Sequence, residues 1–171
     1  MKKFVTIILL CLVAAVTAVQ AQVSFNVSYK RVNPTTIDIV FSGKAQPGWH
    51  IYSTNIGEGG PTPASFKVDK IKGAKLKGAL KAGPGAKTMQ DPIFEMQVSF
   101  FEGSATFTQR VELLDKDYQL DGYLKYGACN DENCLPPTSV EASLKGSDGP
   151  APTAESKAEE EKAQAALEAE T

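Results

Sequence analysis

Val23-Ser24-Phe25-Asn26-Val27-Ser28-Tyr29 and, shortly after it, Ile37-Asp38-Ile39-Val40-Phe41 place a large apolar side chain at every second position. A strand points successive side chains to opposite faces, so this period of two describes a half-buried β-strand and not a helix. Phe94, Met96, Val98 and Phe100 form a third alternating set. Ala105, Phe107, Gln109 and Val111 form a fourth, with a polar interruption at Gln109, and Glu102-Gly103-Ser104 supplies a turn between the two. Weaker strand signals run over Trp49 to Tyr52, Ser65 to Val68, Ala74 to Leu80, Tyr118 to Tyr126 and Val140 to Leu144. No stretch of this block sustains a helical period. Short strands punctuated by Gly, Pro and Asn predict an all-β fold, an immunoglobulin-like antiparallel β-sandwich. The distant cysteine pair with an intervening tryptophan that staples antibody domains is absent. Lys72-Gly73-Ala74 and Lys77-Gly78-Ala79 are too short to signal a repeat fold and mark a hairpin rim.

Around this block the composition shifts twice. Lys2 and Lys3 precede an apolar run from Phe4 to Val19 that ends in Val19-Gln20-Ala21, the layout of a secretory signal peptide over residues 1–21. Cleavage after Ala21 starts the mature chain at Gln22 and removes Cys11; Leu9-Leu10 before that cysteine do not fit a lipid anchor. An uncleaved membrane anchor is the competing reading, because the run is only slightly shorter than a spanning helix. Residues 22–149 carry 14 basic and 14 acidic side chains and are long enough for one domain with its own core. This balance, without a basic cluster, argues against nucleic acid. A small neutral domain is expected to be a monomer. Residues 150–171 hold six glutamates, two lysines, seven alanines and one leucine. That segment is expected to be an acidic linker or disordered tail, at most a flickering helix over Ala154 to Glu168 that lacks an apolar stripe with which to dock.

Two cysteines remain in the mature chain, in Tyr126-Gly127-Ala128-Cys129-Asn130-Asp131-Glu132-Asn133-Cys134-Leu135-Pro136-Pro137. A bridge closing so short a loop stabilises by roughly 2 kcal/mol, against roughly 4.7 for a loop of a hundred residues. As a staple the pair is badly placed. Two close thiols in an oxidising compartment, framed by an aromatic and a double proline, read better as a reversible dithiol/disulfide couple.

These residues resemble the N-terminal periplasmic domain family of the thiol:disulfide interchange protein DsbD, also known as the disulfide bond corrector domain. The resemblance spans Val23 to Leu144. It rests on Pro47-Gly48-Trp49-His50-Ile51-Tyr52, similar to the family's Gly-aromatic-x-aliphatic-Tyr strand; on Asp91-Pro92-Ile93-Phe94, similar to the start of its cap loop; and on the Tyr-x-x-Cys, short insert, Cys-x-Pro-Pro signature. It implies a periplasmic domain that takes electrons from a membrane-embedded domain through a thioredoxin-like domain, in the same longer chain or a separate protein. Those electrons would go to exported thioredoxin-fold proteins such as disulfide isomerases and cytochrome c maturation factors. By the family's pattern Cys134 forms the mixed disulfide and Cys129 resolves it. Ile93 or Phe94 is the lid residue behind Asp91, and Trp49, Tyr52 and Tyr126 line the site. Family members often carry glycine after the lid aromatic, where this chain has Glu95. Asp131 and Glu132 should disfavour thiolate by their charge. No cofactor is implied.

The rival readings are bland. An exported cysteine pair is commonly structural, which would make the chain a non-catalytic immunoglobulin-like binding module or a relative whose bridge stays closed. Cys129, Cys134 and the sole histidine, His50, supply at most three metal ligands at a spacing unlike zinc sites, and a lone histidine beside a tryptophan is more often part of a packed strand. Copper delivery favours methionine clusters, and only Met89 and Met96 follow the signal region. Trp49, Tyr52, Ile93 and Phe94 could equally be core residues of alternating strands.

Overall fold

The computed structural model describes residues 21–169; the signal-peptide expectation for residues 1–20 lies outside the described residues. The strands are, in chain order, β1 (Val23–Asn33), β2 (Thr36–Ala45), β3 (His50–Tyr52), β4 (Ser65–Lys72), β5 (Ala74–Leu76), β6 (Lys81–Ala82), β7 (Lys87–Gln90), β8 (Gln97–Glu102), β9 (Ser104–Leu113), β10 (Tyr118–Tyr126), β11 (Ala128–Cys129) and β12 (Thr138–Gly146), followed by helix α1 (Ala154–Ala169). They form three sheets with antiparallel pairings throughout: β1-β2-β9-β5 with β6 also on β9, β12-β10-β4, and β11-β3-β8-β7. The first two are the layers of an immunoglobulin-like sandwich.

The alternation read from the sequence builds the interior. Ile37, Ile39 and Phe41 of β2 lie directly opposite Val111, Gln109 and Phe107 of β9, and all six are buried. Leu120 and Leu124 of β10, with Ile71, Ala142 and Leu144, supply the facing layer. Ring pairs tie the layers together: Phe41 to Phe66 of β4 at 6.0 Å and Phe25 of β1 to Tyr126 of β10 at 4.7 Å. The polar interruption is satisfied inside the sheet. Buried Gln109 donates through Nε2 to the carbonyls of Gly78 and Arg110, each at 3.0 Å, so its burial leaves no orphan donor.

The alternation misleads in two places. Tyr29 ends the β1 pattern exposed, its hydroxyl accepting the Ser143 amide at 2.9 Å. Phe94 and Met96, which continue the period of β8 in sequence, precede that strand in a loop spanning Asp91 to Met96. Period two there reflects two partly buried side chains of an irregular segment, not a longer strand.

The third sheet is spliced to both layers. The chain passes from β8 to β9 through Gly103, whose φ of 71° suits glycine, and from β10 to β11 through Gly127. A Cβ at Gly127 would sit 2.8 Å from the Thr62 carbonyl oxygen, so only glycine admits this close approach. As a result β3 and β8 are covered on both faces. Ile51 and Phe101 join the main core, while Tyr52, Val98 and Phe100 face a second, smaller cluster with Cys129.

The tail differs from its expectation. Thr153 and Ser156 cap α1 reciprocally: the Ser156 amide donates to Thr153 Oγ1 and the Thr153 amide to Ser156 Oγ. Without an apolar stripe the helix still lies on β4 and β5, held at separate points. Glu159 pairs with Lys75 at 2.5 Å, Glu160 accepts the Gly73 amide at 2.8 Å, and Leu167 packs partly buried against the core. Beneath it stays an open groove of about 590 Å³ lined by Phe66, Val68, Ile71, Leu76 and Leu167. An ion pair at the surface and one half-covered leucine stabilise little. Removing residues 150–171 should therefore cost no more than about 2 kcal/mol, measured by urea unfolding. A larger loss would make the helix an integral part of the sandwich.

Candidate functional site

Cys129 ends β11 and Cys134 stands opposite it as an isolated antiparallel bridge, with a disulfide between them and Cα atoms 4.0 Å apart. The Leu135 amide donates to the Ala128 carbonyl at 2.9 Å and the Asn130 amide to the Asn133 carbonyl at 2.8 Å. The cysteines thus occupy a non-hydrogen-bonded position, where facing side chains come closest. Asn130 closes the hairpin by accepting the amides of Glu132 and Asn133 on Oδ1, at 3.0 and 2.6 Å. These bonds do not involve sulfur, so they can keep the two thiols adjacent when the bridge opens. After Cys134, Leu135 packs partly buried on the main core, and Pro136 and Pro137 have no N–H with which to continue pairing.

The two sulfurs live in different surroundings. Cys129 is 2% exposed and packs with Tyr52, Val98 and Phe100, whereas Cys134 is an exposed residue at the hairpin's open side. Over the cluster lies the Asp91–Met96 loop. Phe94, Met96, Met89 and Ile56 pack partly buried on it, and Ile93 projects 42% exposed. Of the two lid candidates, Phe94 is the one that touches the cluster.

Asp91 shapes that loop. Its Oδ1 accepts the amides of Ile93 and Phe94 at 2.8 and 3.0 Å, while its own amide and carbonyl bond Met96 and Glu95. Glu95 has φ of 53°, the one non-glycine residue with positive φ among those described. The backbone here is what a glycine adopts freely, so Glu95 holds it at a cost of about 1–2 kcal/mol. On Oδ2, Asp91 accepts the Tyr52 hydroxyl at 2.5 Å, and the same hydroxyl oxygen lies 3.2 Å from His50 Nε2.

Burial dominates the electrostatics. It disfavours the Asp91 carboxylate, but the Tyr52 hydroxyl, the Phe94 and Ile93 amides and the nearby His50 together outweigh it and hold the carboxyl below its ordinary value. Tyr52 is pushed up by burial, then by its hydrogen bond to Asp91 and that carboxylate's charge, and stays a phenol. His50 is pushed down by burial despite the opposing charges of Asp91, Asp131 and Glu102, so its imidazole is neutral at pH 7.

Of the expected lining residues, the structure brings Tyr52, Asp91 and Phe94 together at Cys129. Trp49 stays half-buried in the Gln46–Trp49 turn ahead of β3, outside that cluster, because the site face of β3 takes His50 and Tyr52. Tyr126 lies in the main core against Phe25, on the face of β10 that closes the sandwich. His50, read from sequence as a packed strand residue, is buried at 6% exposure yet hydrogen-bonded within the site and directly opposite Cys129 in register. Its place in the Trp49-His50-Ile51-Tyr52 alternation, on the parity of Tyr52, was the available signal. Among the described residues no three His, Cys, Asp or Glu side chains converge to hold a metal ion.

A β-sandwich bearing a disulfide-bonded hairpin at the margin of a third small sheet defines an immunoglobulin-like domain with a cysteine pair of unequal exposure. Residues 15–145 match the family profile of the thiol:disulfide interchange protein DsbD, N-terminal, and the chain belongs to that family. Among solved structures it is similar to the N-terminal periplasmic domain of ScsB from Proteus mirabilis, with a TM-score of 0.54 and 15% identity over 89% of this chain and 56% of that one. The reduced N-terminal domain of DsbD from Neisseria meningitidis matches with a TM-score of 0.46 and 13% identity, over 78% of this chain and 95% of that one. Comparison with curated proteins finds no match.

Asp91→Asn should destabilise the domain by about 1–3 kcal/mol at pH 7, through loss of charge-assisted hydrogen bonds. Because the folded carboxyl titrates below its unfolded value of 3.8, its contribution is present above that pH and lost as pH falls through the folded value. The gap between variant and parent in urea midpoint should thus narrow below pH 4. A gap of the same size at pH 3 and pH 7 would show that Asp91 acts by shape alone.

Proposed function

We propose that this chain is a periplasmic thiol:disulfide interchange domain that passes electrons to exported thioredoxin-fold proteins through the Cys129–Cys134 couple. The observation that carries the proposal is the asymmetry of the pair, one sulfur buried beneath an apolar loop and its partner exposed, in a chain of the DsbD N-terminal family. Exchange needs one accessible sulfur to form the mixed disulfide and a second, held close, to resolve it. Cys134 takes the first role and Cys129 the second.

Phe94 is the lid. A reduced dithiol in an oxidising compartment survives if unselected oxidants cannot reach it, and a hinged apolar cover gives that protection without altering the sulfur chemistry. Exposed Ile93 is the point at which a docking partner displaces the loop. Asp131 and Glu132 lie in the loop between the two cysteines, and access to Cys134 sets reactivity. The electron donor is a thioredoxin-like domain fed by a membrane-embedded domain, in the same longer chain or apart from it. The domain works as a monomer.

Cys129→Ala should let Cys134 accumulate a mixed disulfide with a thioredoxin-fold partner, while Cys134→Ala accumulates little; equal trapping by both, on non-reducing gels, would refute the roles. The couple's reduction potential, from alkylation in graded thiol buffers, should fall at roughly −180 to −270 mV. A value below roughly −300 mV is that of a structural bridge and would favour the binding module.

A further inference from the structure

On the exchange reading just given, we infer that His50 is the base that takes the proton from Cys129 when the mixed disulfide at Cys134 is resolved. His50 and Cys129 are directly opposed on the antiparallel strands β3 and β11. Opposed residues share a face, with Cβ atoms roughly 4.5–5.5 Å apart. The orientation of the imidazole is fixed by its neighbours. It lies edge-on to Tyr52 and Phe100, at centroid distances of 5.0 and 5.3 Å, and both of those rings belong to the cluster that holds Cys129.

The hydrogen-bond order assigns the tautomer. Tyr52 has a single hydroxyl proton and donates it to Asp91, so at the 3.2 Å contact His50 Nε2 must be the donor. Nδ1 is then the nitrogen that can accept a proton. The charged groups around the ring are of one sign: Asp91 from the lid, Asp131 from the disulfide hairpin and Glu102, its partner in register on β8, which Lys87 of β7 pairs at 2.5 Å. Burial keeps the ring neutral at rest, and the three carboxylates stabilise the imidazolium once it forms. That is the arrangement a general base requires.

The step balances. In the mixed disulfide Cys134 is bonded to the partner's sulfur and Cys129 is a buried thiol. Cys129 Sγ attacks Cys134 Sγ as its proton passes to His50. The Cys134–partner bond breaks, the partner sulfur leaves with the bonding pair, and it takes the proton back from His50. The chain's two thiols become the disulfide, and the partner's disulfide has become two thiols.

The test uses the reduced mature chain mixed with one equivalent of dithiobis(nitrobenzoate), which releases one coloured thiolate when Cys134 attacks and a second when Cys129 resolves the adduct. His50→Gln keeps a donor for Tyr52 but cannot take a proton. It should leave the first phase unchanged and slow the concentration-independent second phase about 100-fold at pH 7. In the variant that phase should climb about tenfold per pH unit, following thiol ionisation, where the parent stays nearly flat above pH 6.5. A variant with the parent's second-phase rate and profile overturns the assignment while leaving exchange intact. Absence of any second phase in the parent overturns the exchange reading itself, and this inference with it. Should the variant fail to fold, the parent decides the question, since His50 is its only histidine and gives one imidazole titration by NMR. The midpoint should be lower in the reduced than in the oxidised protein, because the Cys129 thiol competes for Nδ1; equal midpoints overturn the assignment.

Discussion

The site depends on two strands that are covered on both faces. Most strands of a sandwich bury one face and solvate the other. Here β3 and β8 send Ile51 and Phe101 into the main core and His50, Tyr52, Val98 and Phe100 to a separate cluster around Cys129. The floor of the site is therefore fixed by the packing of the whole domain, because β3 cannot shift without moving Ile51 within the main core. A register slip of one residue would exchange the two faces, placing Ile51 at the cysteine and the His50 and Tyr52 polar groups in an apolar interior. The position of Tyr52 and His50 relative to Cys129 follows from this constraint.

Placing a carboxylate beneath an apolar loop creates a problem that the network solves locally. Asp91 is 1% exposed, and an unpaired charge so buried would cost several kcal/mol. Two backbone amides of its own loop and the Tyr52 hydroxyl supply three hydrogen bonds, so that the group which would be costly alone becomes the one that shapes the loop and fastens it to β3. The fastening is polar, whereas the Phe94 ring meets the cluster by apolar contact while its amide stays bonded to Asp91.

Much of this was legible in the residues, and the failures have physical causes. Alternation at Ile37, Ile39 and Phe41 identified β2 because that strand buries one face against a second layer and its period is undisturbed. The Cys129 to Pro137 stretch and Asp91 were singled out through their resemblance to the family's cysteine signature and cap loop. Trp49 and Tyr126 were assigned to the site because aromatic identity is visible in a sequence but facing is not; facing is set by where β3 begins and by the break at Gly127. His50 was passed over for the opposite reason. Its partners Tyr52, Asp91 and Asp131 come from three segments, and only the pairing of β3 with β11 and β8 brings them together. For α1, the missing apolar stripe correctly described the helix's own surface but took no account of Lys75 and the Gly73 amide waiting on the domain.

The cysteine hairpin explains why a short bridge suits exchange better than support. A staple stabilises by restricting the unfolded chain, and a loop of six residues restricts it little. Resolution depends instead on keeping the second sulfur near the first after the bridge opens, a matter of effective concentration. In this chain the Leu135–Ala128 and Asn130–Asn133 bonds and the Asn130 side chain hold the hairpin without any help from sulfur, and Leu135 anchors its far end in the core. The fold thus stores the geometry of the pair in backbone hydrogen bonds. Opening the disulfide removes a covalent link that contributes little to stability and leaves intact the arrangement from which it re-forms.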